Sequence, residues 1–178
     1  MAVWTHIAHE SLSLPATSVT WSSIPTDGTY DHLIIFCSVR SDRSIYKGHG
    51  YLTFNDSSGG TDYSETSLKT TDLTVAESGR SSARANSLVP LTSGADTVAN
   101  AFAASKIYIP HYASSAFKPF FVESSVPNNV TTANRYENKV IAGLWSNPAA
   151  IDEIKIEDGG SGDWVAHSTF DLYGILGV

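Results

Sequence analysis

Residues 143–175, GLWSNPAAIDEIKIEDGGSGDWVAHSTFDLYGI, contain the pattern that decides the fold class. Ile154 and Ile156 alternate with charged residues, a glycine-rich segment follows, and Phe170 and Leu172 then alternate with polar residues. An apolar side chain at every second position is the period of a strand with one buried face. The stretch therefore predicts a strand, a loop and a second strand, forming a hairpin in one wall of an all-β sandwich.

The rest of the chain supports this fold class. Ser and Thr are abundant, whereas there is one Met and no Gln among the residues that favour helix. The run His32 to Val39 is almost continuously apolar, which predicts a central strand. Residues 97–104 fit either two helical turns or a strand. Turn signals divide residues 1–178 into roughly eight to ten strands, which predicts a single domain with a jelly-roll-like, two-sheet sandwich.

Residues 56–87 are the part with the weakest strand pattern. Charged residues, Ser and Thr predominate from Glu65 to Ser87, with few apolar anchors. We expect this region to be a surface loop or weak edge strand that is mobile or contacts a partner, because segments of this kind often carry contacts.

Charge and hydropathy restrict the partners. The formal net charge of −7 and the pI near 5.2 oppose binding to a phosphate backbone, so we expect no nucleic acid partner. The N-terminus lacks a basic leader and an apolar signal region, and no apolar stretch approaches the roughly 20 residues of a membrane span. We expect no membrane partner and synthesis in a cytoplasm.

Candidate catalytic and metal-binding residues are better explained by structural roles. Asp152 and Glu153 are adjacent and would point to opposite faces of a strand, which does not suit a paired acid and base. The loop from Asp158 to Asp163 lacks the dense acidic ligands of a calcium loop. His6 and His9 would face opposite ways in a strand, and Cys37 lies in an apolar run. The sequence therefore predicts no enzyme activity, no cofactor and no metal.

Nine aromatic residues could stack on sugars if several were exposed together. Aromatic residues at alternate strand positions are more often buried in the core or at a subunit contact. We expect most of these residues to lie in the core or at a subunit contact rather than on a sugar-binding surface. They are Trp4, Trp21, Tyr30, Tyr46, Tyr51, Tyr112, Trp145, Trp164 and Tyr173.

The order of several short motifs resembles a family of small tailed-bacteriophage virion proteins. These include capsid decoration (cement) proteins, head fibres and tail-fibre modules, and the similarity spans nearly the whole chain. The motifs are the strand with Trp4, Trp21 to Pro25, Tyr30 to Ile35, Val39 to Ser41, Tyr51 to Asn55 with its Gly-rich loop and Tyr63, Ile107 to Tyr112, Gly143 to Trp145, Ala150 to Ile154 and Ser168 to Ile175. The resemblance implies a trimeric jelly roll located in the virion.

Within that family, the leading expectation is a decoration protein. It would bind the major capsid protein as a homotrimer on the outer capsid surface and stabilise the shell, since a cyclic trimer matches a local three-fold axis. The alternative is a receptor-binding head- or tail-fibre module that recognises a host surface glycan. Termini and loops that lack internal partners are the expected sites of capsid contact, here Met1, Val3, Trp4, His6, Glu77, Arg80 and Arg84.

Overall fold

The computed structural model describes residues 3–58, 60–71, 76–127 and 136–177. Within these ranges the chain forms twelve β-strands and no helix. Their bounds are β1 (Val3–Ser11), β2 (Ser18–Trp21), β3 (His32–Val39), β4 (Lys47–Phe54), β5 (Tyr63–Thr71), β6 (Glu77–Arg84), β7 (Leu91–Ser93), β8 (Ala103–Pro110), β9 (Lys118–Val126), β10 (Glu137–Trp145), β11 (Ile154–Asp158) and β12 (Thr169–Leu176).

The strands form two antiparallel sheets. The larger sheet has eight strands in the order β1-β12-β3-β8-β9-β10-β5-β6, and the smaller has four in the order β2-β11-β4-β7. This arrangement confirms the predicted all-β, two-sheet sandwich, although the strand count exceeds the expected eight to ten. The trimer stays a prediction.

The core lies between the two sheets and is rich in aromatic side chains. Phe54 of the smaller sheet contacts the rings of Trp145 and Phe120 of the larger sheet at centroid distances of 5.6 and 5.9 Å. The burial of β9 alternates strictly from Lys118 to Ser124, with every second side chain turned inward. Period-two burial in both sheets encloses one apolar interior, which is the main source of stability in a sandwich.

Of the two alternatives for residues 56–87, the surface loop is wrong for most of the segment, whereas a weak edge strand is present as β6. β5 and β6 form a hairpin at one edge of the larger sheet, with Leu68 opposite Ser78. The segment is polar because β6 is an edge strand whose residues are largely exposed, so burial imposes no apolar pattern on it. Contact of this hairpin with a partner stays a prediction.

The predicted hairpin between β11 and β12 is also wrong, although both strands exist. β11 belongs to the smaller sheet and β12 to the larger one, so residues 159–168 carry the chain from one wall to the other. Trp164 in this connection is fully buried against Phe170. Alternation of apolar residues predicts a strand and its buried face, but it does not specify the neighbouring strand.

Two further expectations can be compared with the structure. β3 lies between β12 and β8 near the middle of the larger sheet, as its apolar sequence predicts. Residues 94–102 form turns, and β8 begins at Ala103, so the strand option holds for the end of the ambiguous 97–104 segment. Over the described ranges, the protein contains no helix of the length and hydropathy required to cross a membrane.

Candidate binding surface

The larger sheet has one face on the core and one face in solvent, which we call the outer face. Exposed faces of antiparallel sheets are usually polar. This one instead carries the exposed side chains of Trp4, Phe36, Leu68, Phe121 and Val140, one from each of five strands. Trp4 adjoins Phe36 and Val140 adjoins Leu68, and exposed apolar surface of this kind commonly marks a site of interaction. The outer face is therefore the main candidate surface.

A groove of about 710 Å³ crosses this face. Its lining includes a row of small or short polar residues that the strand pairing places side by side. Ser38 of β3 pairs with Ala104 of β8, which pairs with Ser125 of β9. The row extends to both sides through neighbouring strands, and its members are Thr169, Ser38, Ala104, Ser125, Asn138 and Thr70.

The next row of outward residues also lines the groove. In strand order it consists of Asp171, Phe36, Lys106, Glu123, Val140 and Leu68. Lys106 Nζ lies 2.5 Å from Glu123 Oε2, and both side chains remain partly exposed. This row therefore combines apolar side chains with one ion pair, beside a row that is mostly hydroxyl and amide groups.

No sequence pattern indicates this groove, because its residues are scattered along the chain. Ser38 and Ser125 are polar residues at outward-facing strand positions, which is the ordinary pattern of a half-exposed strand. Only the register of six paired strands brings them into one row. Sequence patterning alone does not determine that register.

A β-bulge at the N-terminal edge corrects the expected orientation of two histidines. His6 pairs with Tyr173 and His9 pairs with Asp171, with the register shifted between His6 and Ala8. The extra residue, Ile7, puts both histidines on the outer face. His9 Nδ1 lies 2.6 Å from Asp171 Oδ1, whereas His6 Nε2 lies 3.9 Å from the same oxygen.

An exposed apolar patch lies at the start of β1, and we call it the N-terminal patch. It consists of Trp4, which is 53% exposed, together with Phe36 and Tyr173 on the outer face. The Trp4 ring is stacked near Phe36 at a centroid distance of 6.4 Å and lies 6.3 Å from Tyr173. Val3 and Leu176 are cross-strand partners that are 52% and 42% exposed, but their side chains project from the opposite face of the sheet.

The structure divides the predicted capsid-contact residues into two groups. Val3, Trp4 and His6 lie on β1, and Met1 lies outside the described residues. The other group lies on β6 at the opposite edge of the same sheet and comprises Glu77, Arg80 and Arg84. Seven strand spacings separate the two edges, about 34 Å, so the two groups do not form one site.

The acidic loop considered for calcium has a different role at its first residue. Asp158 is buried, and its Oδ1 lies 3.1 Å from Nη2 of Arg43. The hydroxyl of Ser41 donates to Asp158 Oδ2 at 2.6 Å. This network joins the loop before β4 to the end of β11. Among the residues that the structure describes, no group of three His, Cys, Asp or Glu side chains is arranged to hold a metal ion.

Two buried reactive groups are inaccessible to substrate. Cys37 is buried as predicted, and burial raises the pKa of its thiol, which disfavours the nucleophilic thiolate. Lys118 is fully buried, donates from Nζ to the carbonyl of Ala116 and lies 6.0 Å from the Trp145 ring centroid. Burial lowers the pKa of Lys118. Both groups serve packing rather than chemistry at a surface.

Comparison with known proteins adds little. No protein-family model matches the chain, and no curated protein matches it. A solved structure titled "NanB plus Optactamide" aligns over 97% of this chain and 26% of its own, with 11% sequence identity and a TM-score of 0.35. The chain thus spans about a quarter of the length of that protein. A likeness this weak carries no argument about function.

Proposed function

We propose that this chain is a capsid decoration protein of a tailed bacteriophage. It binds the major capsid protein on the outer surface of the shell as a homotrimer, stabilises the shell, and has no enzymatic activity. The motifs from Trp21 to Pro25 and from Ser168 to Ile175 support the virion assignment through the family resemblance. The N-terminal patch is the structural observation on which the binding role depends.

The N-terminal patch suits attachment because it combines exposure with a fixed position. Trp4 leaves about half of its large apolar surface in solvent, although β1 is tied to β12 by a regular antiparallel ladder. A rigid aromatic side chain can be buried by a partner with little loss of conformational entropy, and Trp is enriched at energetically important interface positions. Binding to the capsid surface would bury the exposed part of Trp4.

The trimer is supported by the two free edges of the larger sheet. A cyclic trimer requires two different surfaces that bind each other in a head-to-tail manner. β1 and β6 provide two such surfaces, because within the described residues neither has a strand on its outer side. Arg80 and Arg84 on β6 would then face the β1 edge of the next subunit, which carries Glu10.

Stabilisation of the shell would require a large contact area. Interfaces that hold proteins together stably bury more than about 1,000 Å² in total. A trimer that contacts several capsid subunits multiplies this burial around its axis, and the separation of those subunits would then require all the contacts to break together.

The proposal is tested by adding the purified chain to capsid shells assembled without it. We expect the chain to sediment with the shells, to saturate at a fixed ratio to the major capsid protein, and to raise the temperature at which the shells rupture. Failure to sediment with shells, with binding to host cells instead, would favour the receptor-binding fibre module. Absence of binding to either would contradict a virion attachment role.

A further inference from the structure

We propose that the outer face binds a second copy of this chain, so that two larger sheets pack face to face about a two-fold axis. This inference goes beyond the capsid function, because the contact forms in the isolated protein and uses the face of the sheet rather than its edges. It rests on three properties of the face, namely the arrangement of its large and small side chains, the pairing of its charges and its area.

Large and small side chains occupy neighbouring rows of the outer face. Six strands each contribute one residue to the row that contains Ser38 and Ala104, which we call the small row. Two positions away on the same strands is the row that contains Phe36 and Lys106, which we call the large row. Residues two apart in a strand point to the same face, about 6.8 Å from each other. The difference in size is greatest on the central strands β3 and β8.

A two-fold axis brings these unlike rows of two copies into contact. In an isologous interface the same surface is used on both copies, with residue i against residue j and j against i. An axis that lies between the two sheets, parallel to the rows and midway between them, keeps the strand order and exchanges the rows. Phe36 of each copy then lies over Ser38 of the other, and Lys106 over Ala104. The strands of the two sheets are aligned, which is a common geometry for packed sheets.

Burial of apolar side chains supplies the driving force for this contact. Phe36, Val140 and Leu68 of the large row are exposed, and so is Phe121 in the following row. A solvated face of an antiparallel sheet is normally polar, so these side chains are unusual in a face that stays in water. Packing of the two copies would remove the apolar surface of both from solvent at once.

The charges of the two rows do not oppose the approach of a second copy, although the chain carries a net charge of −7. Lys106 Nζ is paired with Glu123 within the large row. Asp171 Oδ1 lies 2.6 Å from His9 Nδ1 at the end of that row. Two copies that meet here would therefore bring together paired charges and apolar groups rather than surfaces of like charge.

The face is large enough for a stable dimer. Six strands about 4.8 Å apart extend about 29 Å, and three rows of outward residues, from Ser38 through Phe36 to the row of Phe121, extend about 20 Å. This corresponds to about 600 Å² per copy and about 1,200 Å² in total. Specific protein interfaces begin at about this size.

The matched variants for the test are Leu68→Lys and Leu14→Lys. Both leucines are exposed, so a lysine at either position is solvated in a single copy. Leu68 lies in the large row, where the two introduced ammonium groups would lie close together across the axis. Leu14 lies in the connection between β1 and β2. Equal urea midpoints at the lowest protein concentration would show that both variants retain the fold.

Sedimentation equilibrium at rising protein concentration measures the number of copies. We expect the wild-type chain and Leu14→Lys to form a species of two copies, or of six where the edge contacts of the proposed trimer also form. Leu68→Lys should dissociate at least about tenfold more readily, into single chains or trimers, because like charges face each other. A wild-type chain that is a monomer or a trimer at every concentration, or a mass unaffected by Leu68→Lys, would overturn the proposal.

Cross-linking tests the two-fold geometry itself. Ser125→Cys places a thiol in the small row, and Ser161→Cys places one in the connection between β11 and β12. With sheets about 10 Å apart and a lateral offset of about 6.8 Å, the two Cα atoms of residue 125 would be about 12 Å apart. A bismaleimide of that span should link Ser125→Cys into covalent dimers, but neither Ser161→Cys nor the wild-type chain, whose Cys37 is buried. No dimer from Ser125→Cys, or equal yields from all three proteins, would contradict the arrangement.

Shell binding separates this proposal from the capsid function. β5 lies six strand spacings from β1, about 29 Å, so Leu68→Lys leaves Trp4 unchanged. A lost dimer together with shell binding at the wild-type level would support both proposals. A dimer without shell binding would contradict the capsid function alone. A monomeric wild-type chain whose shell binding is lost in Leu68→Lys would show that the capsid protein occupies the outer face, and the dimer proposal would be wrong.

Discussion

The ring of Phe120 occupies the space that a side chain at Gly143 would need. The two residues are direct partners on β9 and β10, and a Cβ atom at position 143 would lie 2.1 Å from the ring carbons of Phe120. Phe120 is itself held in the core against Phe54, so it has little freedom to move.

Gly143→Ala should therefore destabilise the fold by about 2 kcal/mol, the usual cost of overpacking a core. Urea unfolding followed by tryptophan fluorescence measures this change. Gly79→Ala is the control, because a Cβ there meets only the Ser67 hydroxyl at 3.2 Å on an exposed edge strand. A similar loss in both variants would contradict the packing described for Gly143.

The buried ion pair of Asp158 predicts that a small change in this side chain lowers the free energy of unfolding strongly. Asp158→Asn keeps the side-chain shape but leaves the Arg43 guanidinium without its carboxylate. Removal of one partner of a buried pair should cost about 3 kcal/mol of unfolding free energy. Glu157→Gln at the neighbouring, partly exposed Lys155 pair should change it by less than about 1 kcal/mol. Equal effects in a denaturant titration would refute this distinction.

Alkaline pH should destabilise the protein through buried acids. Burial raises the pKa of Tyr112 to about 12, with a contribution from Asp27, and also raises the pKa of Tyr63 and of Cys37. Because the folded state holds these protons more tightly than the unfolded state, their stabilisation is complete below the unfolded pKa values. This stabilisation is lost as the pH rises through the pKa values of the folded state.

Urea midpoints measured from pH 8 to pH 11.5 test this prediction. Lys118 acts in the opposite direction up to its ordinary pKa, because burial lowers its folded value. The net decline should therefore be steepest above about pH 10.5. Tyr63→Phe should lower stability at every pH, since the Phe54 amide loses its acceptor, but with a shallower alkaline decline. An unchanged slope in that variant would contradict a raised pKa for Tyr63.

The N-terminal patch yields a prediction about attachment. Trp4→Ala should weaken shell binding by about tenfold or more, as expected for an aromatic residue at the centre of an interface. Sedimentation of the variant with shells over a range of concentrations measures this loss. Leu14→Ala, which removes another exposed apolar side chain outside the patch, should bind normally. A point substitution is preferable to truncation because β1 is paired with β12 from Val3 onward.

The sequence was sufficient to predict the fold class and several strands. The apolar run in β3 and the alternation around Ile154 and Phe170 reflect burial, which period-two patterning reports directly. The partners of those strands were not predictable in this way. β11 and β12 are consecutive along the chain yet lie in different sheets. The connection between them crosses the sandwich and contains the buried Trp164.

A local irregularity in β1, the edge strand β6 and the groove on the outer face were also difficult to predict from the sequence. The bulge at Ile7 reverses the facing of His6 relative to a regular strand, and no residue type in β1 signals it. β6 was expected only as one of two alternatives, because an edge strand carries little apolar pattern. The groove depends on the register of six strands, so Ser38 and Ser125 become neighbours of one site only in the folded sheet.

The copy number of this chain in purified phage particles tests the central claim most directly. Quantitative mass spectrometry of virions, with the major capsid protein as internal reference, gives this ratio. A capsid decoration trimer predicts a fixed ratio to the capsid protein that is uniform over the shell and comparable to the number of three-fold positions. Presence in only a few copies per particle, or absence from particles, would contradict the account.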